Sequence, residues 1–232
     1  MSEPADLRSR FSVPADPSGA CAVLVSGGLD SAVLLSQLDR RFRQVHPIYT
    51  SSGLSWEAEE RRYLEQFLKL AELQHTAELV VLEMPVQDVY GLHWSLTGRS
   101  VPDASTADEA VYLPGRNLLL LLKAMLWCQL HGVGTLALGI LKGNPFPDAT
   151  QAFFDTFQSA VNRGLSSRVE IIRPFDTLDK AAVIQLGRRL PLQWTLSCIQ
   201  PQQGLHCGRC NKCAERRRAF LRAGVPDPTR YA

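Results

Sequence analysis

Residues 21–35 constrain the fold more than any other stretch. An apolar run, Ala22-Val23-Leu24-Val25, gives way to Ser26-Gly27-Gly28-Leu29-Asp30-Ser31, after which Val33, Leu34 and Leu38 recur at helical spacing. A β-prone run closed by paired glycines and reopened as a helix predicts strand, tight turn and helix, with the N–H groups of the turn facing outward. Donors of that kind at a helix N-terminus suit an anion such as phosphate, and the hydroxyls of Ser26 and Ser31 flank them. The turn has neither the Gly-Lys-Ser/Thr of the commonest nucleotide loop nor the spaced glycines of dinucleotide-binding turns, so it calls for a different chemistry. Asp30 has a bland alternative as the cap of the following helix.

A chain of 232 residues suits one α/β domain with a small appendage. The formal charge of +2, with both signs interspersed, argues against a nucleic-acid groove or a membrane surface. The longest apolar run, residues 118–128, contains Lys123 and is too short to cross a bilayer. The first twenty residues are polar and proline-rich, without the apolar segment of a secretory signal. A cytoplasmic protein is therefore expected, and four of its six cysteines between 198 and 213 then suggest metal rather than disulfides.

Taken in order, residues 1–19 are expected to be a mobile tail, 20–190 the α/β domain and 191–232 a zinc-binding segment. Strands are predicted at 22–25, 44–50, 78–84, 134–140 and 169–172, with helices between them. That alternation predicts a doubly wound, mainly parallel five-stranded sheet with its ligand at the carboxyl ends of the strands. The helix opening at Trp56 carries Glu57, Glu59 and Glu60 where its dipole favours them, and Tyr63, Phe67 and Leu70 read as its core stripe. Residues 85–109 read as a functional loop that covers the substrate, with His93 and Trp94 as alternatives for pins that hold it down.

Arg116 and Lys180 each fall in a helix's first turn, where a cation opposes the dipole. Both are candidates for anion contact, against the commoner alternative of surface ion pairs. Asp148, three residues before Gln151, reads as the cap of the helix carrying Phe153, Phe154 and Phe157. The helix at 118–130 is apolar on nearly all sides and should lie on the sheet or at a subunit interface.

The sequence around Cys198, Cys207, Cys210 and Cys213 contains two overlapping Cys-x-x-Cys units with a fourth thiol upstream. Three thiolates converging from such units with Cys198 folded back make a closed tetrahedral zinc site, a structural role with no open position for water. His206 reads as a bystander, and Cys21 and Cys128 as core residues.

The Ser-Gly-Gly-x-Asp-Ser loop resembles that of the N-type ATP pyrophosphatases. Pro-Gly-Arg-Asn at 114–117, Pro-Phe at 174–175 ahead of Leu178 and Lys180, Ser197-Cys198 with the three-Cys cluster, and Asp227-Pro228-Thr229-x-Tyr231 follow in order. Over residues 20–232 the chain thus resembles the QueC family of 7-cyano-7-deazaguanine synthases. The resemblance implies a homodimer that uses ATP and ammonia to convert 7-carboxy-7-deazaguanine, a deazaguanine carboxylate, into the nitrile. It further implies that Val25, Ser26, Gly27, Gly28, Leu29, Asp30 and Ser31 hold ATP with Mg²⁺, that Arg116 and Lys180 meet anionic groups, and that the four cysteines bind Zn²⁺. Ser52-Gly53-Leu54-Ser55-Trp56 and Phe146-Pro147-Asp148-Ala149-Thr150 stand where the family generally has Tyr-Gly-Gln-x-His and Tyr-Pro-Asp-Cys-Arg, which keeps a ligase for a different carboxylate or amine as the alternative. A tRNA-thiolating enzyme would want a reactive cysteine outside the zinc set, and a nucleic-acid-binding zinc ribbon would rest on Arg216, Arg217 and Arg218, which read as a solvated face.

Overall fold

The computed structural model describes residues 19–232. Strands β1 (Ala20–Leu24), β2 (Gln44–Ser51), β3 (Val80–Glu83), β4 (Thr135–Ala137) and β5 (Glu170–Ile172) form one parallel sheet in the order β3-β2-β1-β4-β5. Cys21, Ala22 and Val23 are fully buried, so both faces of the central strand are covered and its sequence is continuously apolar instead of alternating. On one face lie α1 (Leu29–Asp39), α2 (Glu57–Leu70), α7 (Lys180–Leu186) and α8 (Asn211–Ala223), which pack Leu34, Leu35, Leu64, Ile184 and Phe220 around Val23. On the other lie α5 (Arg116–Leu130) and α6 (Gln151–Leu165), which bring Leu121, Met125 and Phe154 onto Ala22 and Ile48. Among the described residues no helix is long and apolar enough to cross a membrane.

Several elements differ from the sequence reading for local reasons. The helix expected at 179–190 is only α7, capped by Asp179, whose Oδ1 accepts from the Ala182 N–H at 2.8 Å. It stops at Gly187, where a Cβ would lie 2.4 Å from Val33, and Pro191 keeps the preceding residue out of helical geometry. The first-turn acid Glu57 serves the preceding loop instead of its own helix: Oε2 accepts from the N–H groups of Ser52, Gly53 and Leu54. Leu70 drops out of the core stripe because it is the terminal residue of α2 and stands 50% exposed. Asp148 does not cap α6, a position filled by Thr150, whose hydroxyl accepts from the Phe153 N–H. Its carboxylate reaches across to the start of α5 and accepts from the Asn117 N–H at 3.0 Å, an acid where that helix's dipole favours one.

Residues 85–115 are not structureless. They carry α3 (Gln87–Tyr90), α4 (Trp94–Thr97) and a 3₁₀ turn at Asp108–Val111. Trp94 stacks on Trp56 at 5.7 Å, and the Ser55 N–H donates to the Ser95 carbonyl. The far end is tied to the cysteine segment, with the Ala104 N–H donating to Arg209 O and the Asn211 N–H to Pro102 O. Trp94 thus takes the pinning alternative, and His93 caps α4 by accepting from the Ser95 N–H.

Arg217 and Arg218 are exposed, as a solvated face should be, but Arg216 is not. Its guanidinium is 2% exposed and donates to Thr229 Oγ1, Thr195 Oγ1, Ser197 Oγ and the Leu192 carbonyl, with Asp227 at 3.9 Å. Only Arg can fill such a divergent set of acceptors with one planar fork. Arg216→Ala leaves those acceptors buried and unmet, and should lower the free energy of unfolding by about 3 kcal/mol or more, read as a fall in the urea midpoint at constant slope.

Candidate active site and metal centre

The turn between β1 and α1 opens at the point where the strand order reverses, between β1 and β4, where α/β proteins place their ligands. Gly27 has φ +69°, and a Cβ there would lie 2.7 Å from the Glu60 carbonyl oxygen, so both backbone shape and space demand glycine. The Ser31 hydroxyl donates to Gly28 O and accepts from the Ser26 N–H, while Ser26 Oγ accepts from the Gly28 N–H. These short bonds set the curvature of the turn. They leave the first-turn N–H groups of α1, which have no helical acceptor, at the loop's mouth. Val25 and Leu29 turn their side chains into the core, so only their backbone faces the site. Gly139, just after β4, closes the other wall: a Cβ there would meet the backbone of Asp30 and Ser31 at 3.4 Å.

A cavity of about 180 Å³ fills this angle and brings Ser26, Ser31 and Asp30 together with Tyr49, Glu60 and Arg116. Arg116 is held by donation from Nη1 to Ser52 Oγ at 2.5 Å. The sequence-predicted cation on α5 and the glycine loop therefore share one chamber. Through Asp30 and Gly139 it adjoins a wider recess of about 660 Å³, whose lining includes Lys142, Lys180, Lys212 and Arg218.

Lys180 reaches Asp30, though it spends its charge on carboxylates: Nζ lies 3.3 Å from Asp30 Oδ2 and 2.5 Å from Glu215 Oε1. Burial opposes that charge, but Asp30 and Glu215 more than offset it and hold the ammonium protonated. Burial pushes the Asp30 carboxyl above its ordinary range against the pull of Lys180. Its Oδ1 is buried without a hydrogen-bond partner among the described residues, the signature of an oxygen that would accept a cation.

Two acids in this neighbourhood escaped the sequence reading. Glu60, taken for a dipole partner, turns into the small cavity and accepts from the Tyr49 hydroxyl at 2.9 Å. Glu215, one of a run of charges on α8, fixes Lys180. Tyr49 near the carboxyl end of β2 was the available signal for the first; the second had none, because its partner is remote in sequence.

The four predicted metal ligands do converge. Cys198, Cys207, Cys210 and Cys213 are all buried, with their sulfurs within 4.8 Å of one another. A Zn–S bond of about 2.3 Å puts the corners of a tetrahedron about 3.8 Å apart. The Cys207–Cys213 and Cys198–Cys210 sulfurs are separated by 4.0 and 3.9 Å, which fits. The N–H groups of Gln200 and Cys207 donate to Cys198 Sγ, and that of Cys210 to Cys207 Sγ, the stabilisation thiolates need. His206 stays outside the cluster and accepts from the Ser197 N–H through Nε2.

A doubly wound parallel sheet with a Ser-Gly-Gly-x-Asp-Ser turn at its reversal point defines the class of pyrophosphate-loop α/β proteins. Within that class the chain belongs to the QueC family, since the family model described as queuosine biosynthesis protein QueC matches residues 20–224. The 7-cyano-7-deazaguanine synthase of Thiobacillus denitrificans is 32% identical over 224 residues, covering 91% of this chain and 98% of that protein. That of Nitrosococcus oceani is 33% identical over 223 residues, covering 90% and 96%. Among solved structures, the NMN synthetase from Francisella tularensis is 16% identical with a TM-score of 0.47, covering 91% of this chain and 79% of its own, a likeness too loose to bear on function.

The thiol geometry predicts one zinc per chain by elemental analysis. Cys207→Ser should lose the metal and, with it, most of the soluble protein, because the energy of metal binding would be folding energy for the segment around the four thiols.

Proposed function

We propose that the protein is a 7-cyano-7-deazaguanine synthase, joining 7-carboxy-7-deazaguanine to ammonia at the expense of ATP and dehydrating the resulting amide to the nitrile. The observation that carries this reading is the anion-seeking turn of Ser26–Ser31 opening into one chamber with Arg116, in a chain whose curated relatives bear that name. A ligase for another carboxylate or amine remains the less favoured reading, with only the two divergent loops behind it.

The chemistry asks little covalent work of the protein. A carboxylate oxygen of the acid attacks the α-phosphorus of ATP and pyrophosphate departs. The N–H groups of the turn, with the hydroxyls of Ser26 and Ser31, receive the leaving phosphates, and Arg116 neutralises charge at the reacting phosphoryl. Ammonia then displaces AMP from the acyl carbon, and a second adenylation, on the amide oxygen, prepares loss of AMP to form the nitrile. Asp30, with its unpartnered Oδ1, is the residue that would hold Mg²⁺, which supplies charge neutralisation at the phosphates. Lys180 acts as the countercharge that keeps Asp30 in place. Zn²⁺ on the four cysteines serves the fold alone, since a four-thiolate site leaves no open position.

We assign the protein to the cytoplasm as a homodimer joined through α5. Leu118, Leu122, Leu126 and Leu130 repeat every fourth residue on its outer face and are 43, 48, 41 and 72% exposed, while Leu121, Ala124, Met125 and Cys128 cover the sheet. An apolar stripe of that length suits a self-complementary interface.

Incubation with ATP, ammonia and 7-carboxy-7-deazaguanine should yield the nitrile by mass, and a product absent under these conditions would end the reading. Asp30→Ala is expected to lower substrate-dependent pyrophosphate release by about 100-fold or more with an unchanged circular dichroism spectrum. Leu122→Glu combined with Leu126→Glu should convert a dimer into a monomer by light scattering.

A further inference from the structure

The reaction releases protons that none of the groups above can take. Ammonia adding to the acyl carbon leaves a positively charged nitrogen, and making a nitrile removes two more N–H protons. Arg116 and Lys180 are cations, the serines are hydroxyls, and Asp30 is committed to Lys180. One carboxylate in the chamber has no such commitment.

Glu60 stands directly beneath the phosphate loop. Its backbone oxygen is what forbids a Cβ at Gly27, and its side chain shares the cavity with Ser26, Ser31 and Arg116. Unlike Asp30 and Glu215 it has no ion pair among the described residues; the neutral donors that face it are the Tyr49 hydroxyl at 2.9 Å and the Trp56 indole. As a purely structural group it is a poor choice, because a glutamine carbonyl would accept from Tyr49 without bringing a charge out of water. We propose that Glu60 is the catalytic base that takes the protons released when ammonia adds to the adenylated acid and when the amide is dehydrated.

The steps balance as follows. The lone pair of ammonia forms the C–N bond; one N–H proton passes to a Glu60 carboxylate oxygen, and the C–O bond to AMP breaks with its electron pair leaving on phosphate. Glu60 returns the proton to water. After the amide oxygen has been adenylated, the two remaining N–H protons leave in turn by the same route as the second C–O bond breaks toward AMP, and the electron pairs left on nitrogen complete C≡N.

The surroundings of Glu60 tune it for this. Burial pushes its carboxyl up to about 7, against the lowering influence of the Tyr49 hydroxyl on β2, Arg116 on α5 and the Trp56 indole, while Glu57 on its own helix pushes the same way as burial. Tyr49 is itself held protonated by burial and by Glu60 and Glu57, so it stays a donor. A base near neutrality can both accept a proton and pass it on. With a folded value above the unfolded one, the stability due to the neutral acid is present at low pH and is lost as pH rises through about 7.

The inference rests on the ligase reading, and the test separates the two. With the full chain, ATP–pyrophosphate exchange driven by 7-carboxy-7-deazaguanine reports adenylation alone, and amide plus nitrile formation at fixed free ammonia reports the proton-releasing steps. In the parent protein the second rate should fall as pH drops below about 7, while exchange does not share that limb. Glu60→Gln should slow product formation about 100-fold and exchange by far less. Hydroxylamine, largely unprotonated at neutral pH, should still trap the adenylate as hydroxamate in that variant, and the variant should melt higher than the parent at pH 8 but not at pH 5. A parent profile without the acidic limb overturns the role of Glu60, whether or not the variant folds. So does a variant that makes nitrile at the parent rate, or one that loses exchange and product equally. No exchange in the parent protein overturns the ligase reading, and this inference with it.

Discussion

A single buried ammonium holds this architecture together at the point where it matters. Lys180 on α7 lies between Asp30 at the start of α1 and Glu215 on α8, and Lys212 closes the set at 2.7 Å from Glu215. Three helices from distant parts of the chain are thereby tied together. Charges so placed cost desolvation, and they persist because each finds more than one partner. Burial raises Glu215, yet Lys180 and Lys212 bring its carboxyl down to about 2. Its contribution to stability is therefore complete above the unfolded carboxylate range and is lost only as pH falls through about 2, so the pairing of Glu215 with Lys180 is intact at any physiological pH.

The same dependence recurs through the backbone. The Leu196 N–H donates to the Gly27 carbonyl at 2.8 Å, so the segment leading into the cysteines forms one wall of the phosphate loop. Residues 102–106 are strapped to Arg209 and Asn211, and Arg216 threads the base of the cysteine segment. The four-thiol centre is thus no appendage in the mechanical sense. It orders the face against which the loop, Lys180 and the 85–115 segment are all set.

What the sequence made legible follows the range of the forces involved. The glycine turn could be read because its demands, positive φ and outward donors, are local to six residues; the same holds for the Cys-x-x-Cys spacing. The sheet could be read because strands buried on both faces are apolar throughout. Arg216, Asp148 and Glu60 could not, since each is defined by partners elsewhere in the chain: Leu192 and Thr229 for the first, Asn117 for the second, Tyr49 for the third. In each case a charge that local rules assign to solvent or to a helix dipole is instead satisfied in the interior. The leucines of α5 show the complementary case. An all-round apolar helix, expected on the sheet or at a subunit interface, covers the sheet with Leu121, Ala124, Met125 and Cys128 and leaves Leu118, Leu122, Leu126 and Leu130 exposed on a single chain.

The strap between Leu196 and Gly27 also has a temporal meaning. Synthesis runs from the amino end, so β1 and the glycine turn are made early, whereas Leu196, Glu215 and Arg216 emerge only after the whole sheet. A nascent polypeptide can therefore assemble its layers on the ribosome and still lack a finished nucleotide pocket. Closure of the late thiols around a metal would then be the last step of biogenesis, and a chain that fails to close them should be cleared from the soluble pool instead of waiting there as a finished but inactive sheet.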